Sequence, residues 1–80
     1  MNSDIKQLLI DTRTQFEEEF GDVIIQFNCD KDFSAWRILM LDKRNRDKRI
    51  ERIIPTAQIE YANFNTIRFE FETMRRSLFG

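Results

Sequence analysis

Five cations fall within seven residues in Lys43-Arg44-Asn45-Arg46-Asp47-Lys48-Arg49, and Arg52 follows closely. Arg and Lys at that density can grip phosphate oxygens, and a two-stranded ribbon that carries them can enter a major groove. The same charges could meet an acidic protein. They could also do no more than solvate a turn, because Asp42, Asp47 and Glu51 hold residues 42–52 to a net charge of +3.

Other chemistry is sparse. The chain has no His, which removes the commonest general base and the commonest metal ligand together. The same lack excludes Cys–His and Ser–His nucleophile pairs, and with Cys29 the only cysteine an internal disulfide and a zinc set are excluded too. Of the two glycines, Gly21 and Gly80, neither belongs to a phosphate-cradling loop. No catalytic, cofactor-binding or metal site is expected, and the chain is read as non-enzymatic. Cys29 is expected to be a buried, inert thiol.

The positions of these groups depend on a chain of 80 residues, enough for one domain spanning 1–80 with a thin core. Hydrophobic residues at 41% and charged residues at 34% make a folding composition. The longest apolar run, Ile38–Leu41, is far too short to span a membrane. The opening Met-Asn-Ser-Asp has no basic, then apolar, leader pattern, so a cytoplasmic protein is expected. The net charge of −1 hides a division: residues 1–34 sum to −5 and residues 35–80 to +4. A pI near 5.4 argues against a protein devoted to coating nucleic acid, though not against a local basic contact.

Ile5, Leu8, Leu9, Thr12, Phe16 and Phe20 recur at helical spacing, with Ser3 a candidate N-cap and Gly21 a natural left-handed stop. The acidic triplet Glu17–Glu19 opposes the helix dipole and has no evident local reason. From Asp22 to Cys29 the period changes to two, which predicts a strand. Residues 36–54 read as a hairpin, Trp36–Asp42 against Lys48–Ile54, with Trp36 facing Ile54, Met40 facing Ile50 and Asp42 facing Lys48. The rival is a single helix from Ser34 to Ile54 stopped by Pro55, weakened by eight polar residues at 42–49. Beyond Pro55, Gln58–Ala62 and the alternating Ile67–Glu72 predict two more strands, with Ile67, Phe69 and Phe71 facing inward, and Met74–Gly80 a short tail. The helix-then-strands order is shared with Sm-like barrels, but their sharply bent strands usually need Gly, and residues 22–79 contain none. The expected fold is α+β, an N-terminal amphipathic helix packed on a small antiparallel sheet of four to five strands.

A sheet under one helix needs only one apolar face. Ile24, Leu39, Leu41 and Ile53 then fall on the other, too much large apolar surface to leave wet unless a register error has flipped a strand. The partner-binding candidates are therefore Ile24, Leu39 and Leu41, with Trp36 as an aromatic anchor and Phe79 as a docking tail. The plainer roles of Trp36 and Phe79 are core and core plug. Phe33, an aromatic in a polar turn, also stands out. The function expected is a small regulatory or interaction protein of inhibitor, antitoxin-like or adaptor type. It would bind a protein partner and pair with itself as a homodimer through the sheet face. The alternative is a nucleic-acid-binding module that uses the basic hairpin at residues 43–52, with Lys43, Arg44, Arg46, Lys48 and Arg49 in contact.

Overall fold

Gly21 sets the first corner. Its φ of +64° is the left-handed conformation that ends a helix cheaply only at glycine, and its N–H donates to the Glu17 carbonyl at 2.9 Å. The computed structural model describes residues 2–80 of the chain, with side chains from Asp4 onward. The Ser3 cap falls outside the described side chains. Helix α1 (Asn2–Phe20) turns at Gly21 into strand β1 (Val23–Asp30). Its inward stripe of Ile5, Leu9, Thr12 and Phe16 is buried as its spacing predicts, and Leu8 and Phe20 pack at the margin. The buried Thr12 hydroxyl is satisfied within the helix, donating to the Leu8 carbonyl at 2.7 Å.

Strand β1 pairs antiparallel with β2 (Ala35–Asp42), and β2 with β3 (Arg49–Pro55), in the order β1-β2-β3. The hairpin reading of residues 36–54 holds in register: Trp36 lies opposite Ile54 and Met40 opposite Ile50, and the Asp42 N–H donates to the Lys48 carbonyl at 2.9 Å. Both turns are built by acceptor side chains. Asp30 Oδ1 receives the N–H groups of Asp32 and Phe33 at the first, and Asp42 Oδ1 receives that of Arg44 at the second.

The sheet stops at three strands, so the expected fourth and fifth are corrected. After Pro55 the chain forms a short turn of helix, α2 (Thr56–Ile59), where a strand was expected over Gln58–Ala62. It then forms α3 (Phe64–Phe79), where strand Ile67–Glu72 and a loose tail were expected. Asn63, read as a turn residue, is the N-cap of α3, with Oδ1 accepting from the Thr66 N–H at 3.0 Å. Ile67, Phe71, Met74 and Leu78 form the buried stripe, while Phe69 turns outward with 61% of its surface exposed. The reason is one of period: positions 67, 71, 74 and 78 repeat at helical spacing, and Met74 and Leu78 extend that stripe beyond the short window whose alternation suggests a strand. Helix α1 packs on β1, and α3 packs beside it on β2 and β3. Between the helices and the sheet lie Val23, Ile25, Trp36, Ile38, Met40 and Ile54, all buried.

Polar ties then fix the helices. Glu17 Oε2 accepts the edge N–H of Ile25 at 2.8 Å, and Glu19 pairs with Arg68 of α3 at 2.7 Å. Two members of the unexplained acidic triplet thus have tertiary partners. The Arg68 guanidinium holds the Glu19 carboxyl below its ordinary value. No described helix is long and apolar enough to cross a membrane.

Candidate interaction surface

Both helices lie on one side of the sheet, so the other side has no covering layer. Strand alternation decides what it shows. From the turn end inward, the register sets Asp30, Ala35 and Pro55 in one row, then Asn28, Arg37 and Ile53, then Gln26, Leu39 and Glu51, then Ile24, Leu41 and Arg49. The odd positions of β2 and β3 and the even positions of β1 share this face.

Ile24, Leu39 and Leu41 are therefore brought together on the open face. Leu41, in the central strand, is shielded to 8% exposure between Ile24 and Arg49, and Leu39 is half-buried between Gln26 and Glu51. Ile53 stands out further, with 53% exposed.

Trp36 and Phe79 do not join this group. Trp36 points to the helix side, is 6% exposed, and sits edge-on to Phe27 with ring centroids 6.2 Å apart. In this fold it is a core residue and cannot touch a partner on the open face. Phe79, at the end of α3 on the helix side, is 38% exposed, with Lys48 Nζ 5.3 Å and the Arg75 guanidinium 5.4 Å from its ring.

The open face is not flat. A depression of about 380 Å³ lies at its turn end, with Ala35 as floor and Phe33, Ile53 and Pro55 as walls. Phe33 rises from the β1–β2 turn with 76% of its surface exposed. Arg37 borders this depression and a second of about 220 Å³ beside Leu39 and Glu51. Arg37 is held only loosely, its Nε 3.6 Å from Asp30 Oδ2, and it remains exposed. The face thus combines apolar walls, a small-residue floor and one cation weakly engaged. Ala35 and Arg37 were not singled out from the sequence. Their signal was present in the strand alternation, which places a small residue beside an exposed aromatic turn.

The basic cluster lies at the opposite end. Lys43, Arg44, Arg46, Lys48 and Arg49 are all exposed along the β2–β3 loop and its exit. The loop backbone is fixed by Asp42 and by Asn45, whose Oδ1 accepts from the Asp47 N–H at 3.3 Å. Cys29 is half-buried at the margin of the core. Comparison with protein-family models, with curated proteins and with solved structures finds no match for this chain.

Proposed function

We propose that this chain is a small, non-catalytic, cytoplasmic regulatory protein that binds a protein partner through the open face of its sheet, as an inhibitor, an antitoxin-like protein or an adaptor does. The observation that carries the reading is the uncovered face itself, with Ile24, Leu39, Leu41 and Ile53 on it and a walled depression at one end. Apolar groups gathered around a concavity and rimmed by polar ones are the usual make-up of a protein contact. Arg37 is placed to add an ion pair with an acidic group of the partner. The lack of His, the lone Cys29 and the lack of a glycine-rich loop support a binding role over a catalytic one. A single thiol fits a reducing compartment.

A second reading has its own observation. Five exposed cations on one ordered loop could contact phosphates, which would make the chain a nucleic-acid-binding module. Affinity capture from the native host, with and without nuclease, separates the two. The first reading expects a protein captured equally in both, and retained as salt is raised. Capture that disappears with nuclease, or falls steeply with salt, would replace it with the second.

A further inference from the structure

The two edges of the sheet are treated differently. At β1 the outward N–H of Ile25 is already taken by Glu17, and the Arg13 guanidinium lies over the Phe27 ring at 4.8 Å. At β3, among the described residues, no side chain takes an outward backbone group. Strand parity, fixed by the bonds Asp42 N–H to Lys48 carbonyl and Thr56 N–H to Ser34 carbonyl, turns the backbone groups of Ile50, Arg52 and Ile54 toward β2. Those of Arg49, Glu51 and Ile53 point outward, and among the described residues no bond reaches them. Nor has the side chain of Arg49 or Glu51 an ion-pair partner there. Such free backbone groups are a template for another strand wherever the edge's charged side chains, which otherwise deter pairing, meet opposite charges.

We propose that β3 pairs antiparallel with β3 of a second copy about a two-fold axis at Ile50, joining two sheets into one of six strands. This goes beyond the partner-binding reading and does not rest on it, because the edge and the open face are different surfaces.

The charge sequence selects the occupant and the register. With Ile50 opposite itself, Arg49 of each copy lies opposite Glu51 of the other, so two unpaired charges on each side become two reciprocal ion pairs. Those positions carry the outward N–H and C=O groups, so the same two residue pairs supply four backbone hydrogen bonds. Centring the axis on Glu51 instead would set Glu51 against Glu51. In the chosen register Lys48 falls opposite Arg52, but each charge is already engaged, Lys48 by the Phe79 ring and Arg52 by Glu70.

Helix α3 completes the fit. It packs over β2 and β3 and leaves a groove of about 250 Å³ along the β3 edge, lined by Thr73 and Ser77 of the helix and by Ile50 and Arg52 of the strand. With strands about 4.8 Å apart, a helix seated over β2 and β3 lies about 5 Å from the axis, so the two copies of α3 run about 10 Å apart. That is close to a helix-packing distance, and small side chains such as Thr73 and Ser77 permit it.

The test is solution mass at micromolar concentration for the full chain and four variants, each checked for native circular dichroism. Wild type is expected at twice the chain mass of 9.7 kDa. Arg49→Glu alone and Glu51→Arg alone should each raise the dimer dissociation constant roughly tenfold or more, because both ion pairs become like-charge contacts. The combined Arg49→Glu, Glu51→Arg exchange should restore it, since the pairs reform with reversed sign. Ile24→Glu, on the open face but on β1, two strands from the edge, should leave the dimer intact. A wild-type monomer, failure of the exchange to rescue, or a dimer dissolved by Ile24→Glu while both single reversals stay dimeric would each overturn the proposal. None of these masses depends on a heterologous partner, so failure here is distinct from failure of the partner-binding reading.

Discussion

Arg75 and Asp22 tie the last helix to the first corner. The Arg75 guanidinium donates from Nε to Asp22 Oδ1 at 3.1 Å and from a terminal nitrogen to Oδ2, a two-pronged contact spanning most of the chain in sequence. The same guanidinium lies 4.3 Å from the Phe20 ring centroid and 5.4 Å from that of Phe79. One side chain thus joins α3, the α1–β1 corner and the aromatic residue that closes α1. Both partners are about one-third exposed, so solvent screens the charge, and the packing of the guanidinium on its rings contributes alongside the ion pair. Asp22→Asn should cost no more than about 1 kcal/mol in chemical denaturation. Arg75→Ala should cost more than Asp22→Asn, because it also removes the stacking. Equal costs would show that the rings add nothing.

The pH dependence follows from the same contacts. The Arg75 hydrogen bond holds the Asp22 carboxyl below its ordinary value of 3.8, and Arg68 does the same to Glu19, whose ordinary value is 4.5. A carboxyl whose folded value is depressed contributes stability fully above its unfolded value and loses it as pH falls through the folded one. Stability should therefore be flat in these two groups near neutrality and decline on acidification through and below the ordinary carboxylate range. Urea midpoints measured from neutral to acid pH test this. The acid decline should be shallower in the Asp22→Asn, Glu19→Gln double variant, and an unchanged slope would show that other groups govern it.

The helical assignment of residues 64–79 gives a sharp contrast between neighbours. Phe71 is fully buried and meets the Phe16 ring edge-on with centroids 5.6 Å apart, whereas Phe69 faces out. Phe71→Ala should cost about 3–5 kcal/mol and Phe69→Ala about 0.5 kcal/mol or less in the monomer. A strand would bury both rings on one face, so comparable losses would contradict the helix. Leu9→Ala should cost about 2–5 kcal/mol, and Lys6→Ala on the exposed side should stay within about 0.5 kcal/mol.

The N-terminal half of the fold was legible because its signals are local and agree. Ile5, Leu9, Thr12 and Phe16 repeat at helical spacing up to a glycine, Val23 to Cys29 alternate, and Trp36 can match Ile54 only with Met40 matching Ile50. The C-terminal half was ambiguous for a physical reason. Residues four apart, such as Ile67 and Phe71, share a face in a strand and in a helix alike, and only the intervening Phe69 separates the two periods. The decision rests with the longer stripe, in which Met74 and Leu78 continue the helical spacing, and that continuation is invisible in a six-residue window. Asn63 illustrates the overlap, since a turn and a helix cap use the same side-chain acceptor. On the surface, the facing of Ile24, Leu39, Leu41 and Ile53 was readable from alternation. Core was the plainer reading of Trp36, and its burial agrees with that rather than with an anchor role, whereas the depression beside Ala35 was not readable, because it depends on how the Phe33 turn stands over the face.

The basic loop separates the two classes of function. Its cations are exposed, and screened charges contribute little to folding, so Arg44→Glu with Arg46→Glu should shift stability by no more than about 0.5 kcal/mol. If the partner is held by the open face, its capture should be nearly unchanged. If phosphates are the ligand, affinity should fall for every sequence tested and the salt slope should shrink.

The most direct measurement is partner capture by a variant that alters only the open face. Arg37→Glu with Ile53→Glu changes two exposed residues bordering the depression of about 380 Å³ and leaves the core untouched. Native circular dichroism and an unchanged urea midpoint would establish that the variant is folded. From nuclease-treated lysate, wild type and the Arg44→Glu, Arg46→Glu variant should retain the same protein, while the face variant should lose it by tenfold or more, a change of about 1.4 kcal/mol or greater. Undiminished capture by the folded face variant would contradict the assignment of the open face as the partner surface.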